Sequence, residues 1–284
     1  MKRLFLLAAA LTAAACASSA ASPVLQARGL DELSGLQAAH RHAGFWGHND
    51  SGDTARLFRI GSAGEDLGTV AVHGAGAVDW EDLAGFTAAD GTPMLVIADV
   101  GDNQAVRRSV TLYAVPEPGP EAVSVDVAWS LRFRYPDGPR DAEAVAVTPA
   151  RPGHASEGLI LSKRDRPPRL YRLPLAASAD EAIVAEFLTE LRSLPAGAGI
   201  PDQPTAMDLS MDGRSLLVLT YQRVFLWRRI GDEPWAEAMA RAPEPLDRPA
   251  LRQAEAITLL ADGRRYAVSS EQRPAPLWVL SLPD

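Results

Sequence analysis

The chain has 284 residues, 36 of them acidic and 28 basic, for a formal charge of −8, and it contains a single cysteine. That balance argues against nucleic acid or an anionic membrane surface as a partner, and one cysteine excludes an internal disulfide or a cysteine-rich metal centre. The length suits one large all-β domain or two smaller ones, and the 47% apolar share is that of a chain able to bury a core.

From the N-terminus, Lys2 and Arg3 precede an apolar run over residues 4–11 and then Ala13-Ala14-Ala15-Cys16, the layout of an export signal over residues 1–15. The run is too short to span a bilayer, and no later stretch reaches the roughly 20 apolar residues that a span requires. A cysteine directly after small residues resembles a bacterial lipoprotein lipobox, with Ala13 departing from the usual Leu. Cys16 is then the lipidated residue; cleavage after Ala15 or Ala21 without a lipid is the alternative. The expected protein is exported and held at the cell envelope by a lipid anchor alone, or secreted if Cys16 carries none. Residues 16–23 read as a tether and residues 24–284 as one monomeric domain. With the signal removed, Lys163 is the only lysine.

Within that domain one pattern recurs, an acid just ahead of a short apolar alternation. It stands at Trp80-Glu81-Asp82-Leu83-Ala84, Asp141-Ala142-Glu143-Ala144-Val145, Ala206-Met207-Asp208-Leu209 and Ala254-Glu255-Ala256-Ile257, with a worn copy at Leu33-Ser34-Gly35-Leu36. Aligning Leu36, Leu83, Val145, Leu209 and Ile257 gives steps of 47, 62, 64 and 48 residues, near the period of a propeller blade. Each unit reads as a first strand, a turn, a second strand ending in polar residues, and a third strand with an aromatic that packs between sheets: Phe58, Tyr113, Tyr171, Phe225 and Trp278. Asp90-Gly91, Asp212-Gly213 and Asp262-Gly263 supply turn residues able to reach positive φ. Fourth strands are expected over residues 68–72, 123–135, 183–191 (which also fits a short helix) and around 235–241, with Pro243-Glu244-Pro245 as a connection. The last unit lacks one, and residues 24–30 can fill it from the other terminus, which removes exposed edges. The expected fold is an all-β propeller of five four-stranded blades closed by an N-terminal strand, with six blades as the alternative.

First-strand starts and the turns after second strands meet at one end of a propeller's channel. The former supply Glu81, Asp82, Glu143, Asp208 and Glu255; the latter supply His48, Asp50, Asp53, Asp99, Asp102, Asn103, Lys163 and Arg164. Carboxylates crowded on a narrow channel cannot all stay ionised without a proton, basic partners or a cation. Lys163 and Arg164 are the basic partners, and a hard divalent ion such as Ca²⁺, which takes carboxylate and carbonyl oxygens, is the other solution. Asp50, Glu81, Asp99, Glu143 and Glu255 are the candidate metal ligands. His48 and Lys163 join them in a ligand site, and His48, Glu143 and Glu255 are the candidate acid–base groups. Each acid also has a plainer use, accepting backbone N–H groups of the next blade, most of all Asp208, and Asp50-Ser51-Gly52-Asp53 reads equally as a self-satisfied turn. There is no His-Glu-x-x-His, EF-hand, Gly-x-Ser-x-Gly or Ser-x-x-Lys pattern. Paired carboxylates also suit glycoside hydrolysis, where their separation decides the stereochemistry.

Taken together, Trp46-Gly47-His48-Asn49-Asp50-Ser51-Gly52-Asp53, Asp79-Trp80-Glu81-Asp82, Asp99-Val100-Gly101-Asp102-Asn103, Tyr135-Pro136-Asp137-Gly138 with Asp141-Ala142-Glu143-Ala144, and Gln253-Ala254-Glu255-Ala256-Ile257 resemble a family of secreted bacterial β-propeller proteins. A weaker likeness runs to the propeller family named for esterase-like activity of phytase, which implies a calcium-assisted hydrolase of anionic esters. One departure is Met207, standing where three other units have Glu. Two functions stay open: a Ca²⁺-binding ligand site at the channel mouth, hydrolytic on phosphoesters or sugars, and a non-catalytic platform for protein partners in the envelope.

Overall fold

The computed structural model describes residues 23–151, 154–175, 181–194, 202–247 and 249–283; the expected export signal and Cys16 lie outside them. The period-2 alternation folds as five antiparallel sheets around one axis, a five-bladed β-propeller. The inner strands are Leu33–Ala38, Trp80–Thr87, Ala142–Val147, Pro204–Leu209 and Ala254–Leu259. All are buried on both faces apart from Gly85 and Thr87 in the second, because each packs against its own blade and against two neighbours.

Outer strands carry the finer differences from the sequence reading. Residues 123–135 divide: Trp129–Arg134 is the fourth strand of blade two, while Ser124–Asp126 runs parallel to Asp66–His73 on the rim of blade one. Residues 183–191 likewise give Glu186–Glu190 to blade three and Ile183–Val184 to the rim of blade two. A parallel rim strand covers an edge that would otherwise pair with another chain. Blade four corrects two expectations. Its fourth strand is Glu244–Leu246, in the proline-rich stretch read as a connection, and Trp235–Ala238 is a single helical turn. Proline is tolerated there because an edge strand leaves the missing N–H facing outward; Trp235 is instead held by its burial between blades three and four.

Closure of the ring uses less of the N-terminus than a full strand. In the last sheet Ala254–Leu259, Arg265–Ser270 and Trp278–Ser281 are joined by a bridge between Val24 and Pro276. Leu25 N–H donates to the Ala275 carbonyl at 2.9 Å, and Gln26 N–H to the Gly64 carbonyl of blade one at 2.8 Å. Leu25, Ala27 and Leu30 sink into the core that blades one and five share, at roughly 1.5–3 kcal/mol per fully buried large apolar side chain. The segment is a strap across the seam.

At the axis, inner strands present backbone N–H groups to one another, and two carboxylates take them up. Asp82 is fully buried; one of its oxygens accepts from Val145 N–H (2.8 Å) and Met207 N–H (3.0 Å), the other from Leu83 N–H (2.9 Å). It thereby links blades two, three and four. Asp208 accepts from Leu259 N–H (2.6 Å), Thr258 Oγ1–H (3.0 Å) and Leu209 N–H (2.7 Å), and Ala38 N–H of blade one donates to Thr258 Oγ1 at 2.9 Å. Asp208 thus has the bonding role expected of it, and Asp82 shares that role rather than facing the mouth.

Removing the Asp82 carboxylate takes the acceptor from three buried inner-strand donors, Leu83, Val145 and Met207 N–H, each costing about 1–3 kcal/mol. Asp82→Ala is expected to lose about 3 kcal/mol, lowering the melting temperature by about 6–12 °C in calorimetry; a change below 1 °C would refute the axial tie.

Candidate functional site

Every inner strand carries a bulge at its head. The pairing with the second strand skips one residue between Leu33 and Gly35, Trp80 and Asp82, Ala142 and Ala144, Pro204 and Ala206, and Ala254 and Ala256. The extra residues are Ser34, Glu81, Glu143, Thr205 and Glu255. A bulge bends its strand and re-aims a side chain, and here the chemistry of that side chain decides its use. Ser34 and Thr205 carry a hydroxyl proton and donate to the carbonyls of Glu81 (2.6 Å) and Ala254 (2.7 Å) in the next blade. Glu81, Glu143 and Glu255 instead turn into the mouth.

This register also corrects the repeat. Thr205, not Met207, stands in line with the three glutamates, and the anchors are Leu36, Leu83, Val145, Met207 and Ile257, at steps of 47, 62, 62 and 50 residues. Two acids just ahead of inner strands, Asp79 and Asp141, complete the cluster. Asp50, Asp79 and Glu81 offer oxygens all within 4.8 Å of one another, as do Glu81, Asp141 and Glu143. Glu81 belongs to both groups and is 3% exposed. Gly101 makes the space: a Cβ there would lie 2.2 Å from Glu81 Oε1 and 2.5 Å from the Asp79 carboxyl.

Electrostatics follow from the crowding. Burial, with the charges of Glu143, Asp50 and Asp79, pushes Glu81 well above the usual carboxylate range. Burial and the nearby Asp50 charge raise Asp79 to about 6, and burial with Glu271 raises Glu255 to about 8. Burial also pushes Glu143 up, against the pull of Lys163. Lys163 is hydrogen-bonded to Glu143 and lies over the Tyr221 ring, 5.2 Å from its centroid; burial opposes its charge, and Glu143 and Tyr221 together outweigh burial and keep it an ammonium. Arg164 Nε donates to Asp141 Oδ2 at 2.5 Å, and Asp102 N–H to Asp141 Oδ1 at 3.0 Å. Among the described residues on this face, carboxylates therefore outnumber the cations Lys163, Arg164 and Arg107.

Of the residues singled out from sequence, Asp50, Glu81, Glu143, Lys163 and Glu255 lie at this mouth. Asp99 belongs to neither acid group: one oxygen accepts from Arg107 Nη2 (2.7 Å) and Asp79 N–H (3.2 Å), the other from Val78 N–H (3.4 Å). Asp53 is occupied by Arg56, Asn49 and Thr54, and Asp102 by the N–H groups of Val106 and Arg107. His48 pairs with no carboxylate among the described residues, although the Asp50 and Asp53 charges reach it. Its ring fills the space left by Gly35, meets Trp80 edge-on at 5.4 Å and places Nδ1 2.9 Å from the Asn49 carbonyl oxygen. Burial lowers its pKa, so it is a neutral packing residue between blades one and two. Sequence reasoning quoted Asp79 and Asp141 in motifs but left them out of the site, because they precede the alternation that marks the strands.

No family model and no curated protein matches the chain. Among solved structures it is similar to hydrazine synthase of Kuenenia stuttgartiensis, at 10% identity and a TM-score of 0.45 over 95% of this chain and 99% of that one. It is also similar to the Dos1 propeller, at 11% identity and 0.40 over 89% of this chain and 58% of that one. Such distant likenesses carry no function, and the blade count rests on this chain's own sheets.

A group whose folded pKa is raised holds a proton that the unfolded chain has released, so its contribution is complete below about pH 4.5 and is lost as pH rises toward 8. With chelator present, the urea midpoint is expected to fall from pH 5 to pH 8 through Asp79, Glu81, Glu143 and Glu255; a midpoint that rises over this range would contradict the assignment.

Proposed function

We propose that the channel mouth is a divalent-cation site, filled by Ca²⁺, in an exported propeller held at the cell envelope through Cys16. The observation that carries it is Glu81, a buried carboxylate shared by two three-acid groups whose oxygens lie within 4.8 Å. Burying like charges together is costly unless an opposite charge joins them. Among the described acids Lys163 and Arg164 pair directly with Glu143 and Asp141 alone, and Lys163 and Arg107 act on Glu81 and Asp79 only from a distance. The donors are all carboxylate oxygens, with no nitrogen or sulfur ligand, the set a hard cation prefers. Asp50, Asp79 and Glu81 would hold the ion, or Glu81 with Asp141 and Glu143. A bound cation supplies positive charge that polarises an ester or sugar oxygen, so the ligand class is an anionic ester or a sugar whose oxygens complete the coordination sphere. Burial and neighbouring carboxylate charge raise the Glu255 pKa, which keeps a proton available beside it. Under this reading the protein acts as a monomer without nucleic-acid partners, and a phosphoester and glycoside screen in Ca²⁺ separates a catalytic mouth from one that only binds.

Calcium at about 100 times its dissociation constant stabilises a native protein by about 2.7 kcal/mol, which here is about 5–10 °C of melting temperature. That rise over chelator-treated protein is expected in calorimetry and is expected to vanish in Glu81→Gln, which keeps the shape and removes the shared charge. Gly101→Ala, whose Cβ would displace Glu81 and Asp79, is expected to weaken Ca²⁺ binding at least tenfold in calorimetric titration. Equal melting with and without Ca²⁺, or a full rise in Glu81→Gln, would overturn the proposal.

A further inference from the structure

At the strand ends opposite the acidic mouth, blades three and four enclose a second cavity of about 480 Å³, within the size range of small-molecule sites. Its walls are apolar where Pro149, Leu159 and Leu188 face it. Arg229 and Trp235, from the stretch between the third and fourth strands of blade four, close one side.

Arg229 is the unusual residue. Its side chain is 7% exposed, and its guanidinium carbon lies 5.4 Å from the centroid of the Trp235 ring. Its nearest carboxylate is Asp232 at 4.0 Å, and that group is 90% exposed and already held by Arg151 at 2.6 Å. Arg229 Nε and Trp235 Nε1 are buried and make no hydrogen bond among the described residues. Arg172, on the same wall, is by contrast satisfied by Glu157 and Glu186. A buried guanidinium whose one counter-charge among the described residues stands 4.0 Å off and is shared with Arg151, beside an unpaired indole N–H, is costly as it stands. Both residues line one cavity, and an anionic oxygen there answers the guanidinium charge.

We propose that this cavity binds a small organic carboxylate with a flat apolar body. The carboxylate pairs with the Arg229 guanidinium, while the body lies against Leu159, Leu188 and Pro149. A guanidinium is suited to a planar carboxylate, and its stacking on indole leaves its N–H edge to the ligand. The site is independent of the cation mouth, with which it shares no residue.

The test is calorimetric titration of the full mature chain with 1-naphthoate, and with 1-naphthalenemethanol as its neutral counterpart. One naphthoate per chain is expected, with the alcohol at least tenfold weaker. Arg229→Gln is expected to weaken naphthoate at least tenfold, and Ala155→Trp, at the exposed rim of the cavity, to block it. Glu81→Gln is expected to leave it unchanged. Absence of stoichiometric binding, equal affinity for acid and alcohol, or unaltered binding in Ala155→Trp would overturn the proposal. The last two arms hold even if Arg229→Gln does not fold.

Discussion

One extra residue at the head of each inner strand governs this molecule. Because it is unpaired in the ladder, its side chain leaves the alternation of the blade, and all five blades repeat the device. Where the residue is Ser34 or Thr205, a hydroxyl proton binds the next blade. Where it is glutamate, the same backbone device yields a cluster instead of a stitch. Structure and site thus share one geometry, differing only in which side chain the bulge carries.

The cost of that cluster is met elsewhere in the ring. Asp82 and Asp208 collect N–H groups from several blades at the axis, so the inner strands need no side-chain help from the glutamates. Asp79 and Asp141, Gly101 and Lys163 then shape the mouth, by adding oxygens, by giving room and by holding one carboxylate in place. The two ends of the disc have opposite needs. The mouth holds more negative charge than its cations answer, whereas the cavity beneath blades three and four holds a guanidinium with too little negative charge around it.

Much of the architecture was legible in the sequence, since a repeated acid-then-alternation motif and Asp-Gly turns mark strand heads and hairpins whatever the tertiary context. The inner strands at Trp80–Thr87, Ala142–Val147 and Ala254–Leu259 carry that motif in full. Blade four misled because Asp208 looks like the repeated acid but lies three residues beyond the bulge, where it serves the axis; the true counterpart, Thr205, is not acidic. His48 adjoins Asn49 and Asp50 in sequence, yet its ring fills the space beside Gly35 and meets Trp80, so it packs between blades one and two. Edge strands were the least legible part. Glu244–Leu246 pairs through a proline-rich stretch, and Ser124–Asp126 and Ile183–Val184 belong to the rims of preceding blades, choices set by neighbours rather than by local pattern.

The central claim is that the glutamates turned out by the bulges, with their flanking aspartates, hold a divalent cation at the mouth. The most direct measurement is anomalous diffraction from crystals soaked in Mn²⁺, a scatterer that carboxylate oxygens also ligate. The account predicts a peak bounded by Glu81 and either Asp50 with Asp79 or Asp141 with Glu143. A map with no peak there, or with Mn²⁺ found only on exposed acids away from the axis, would contradict it.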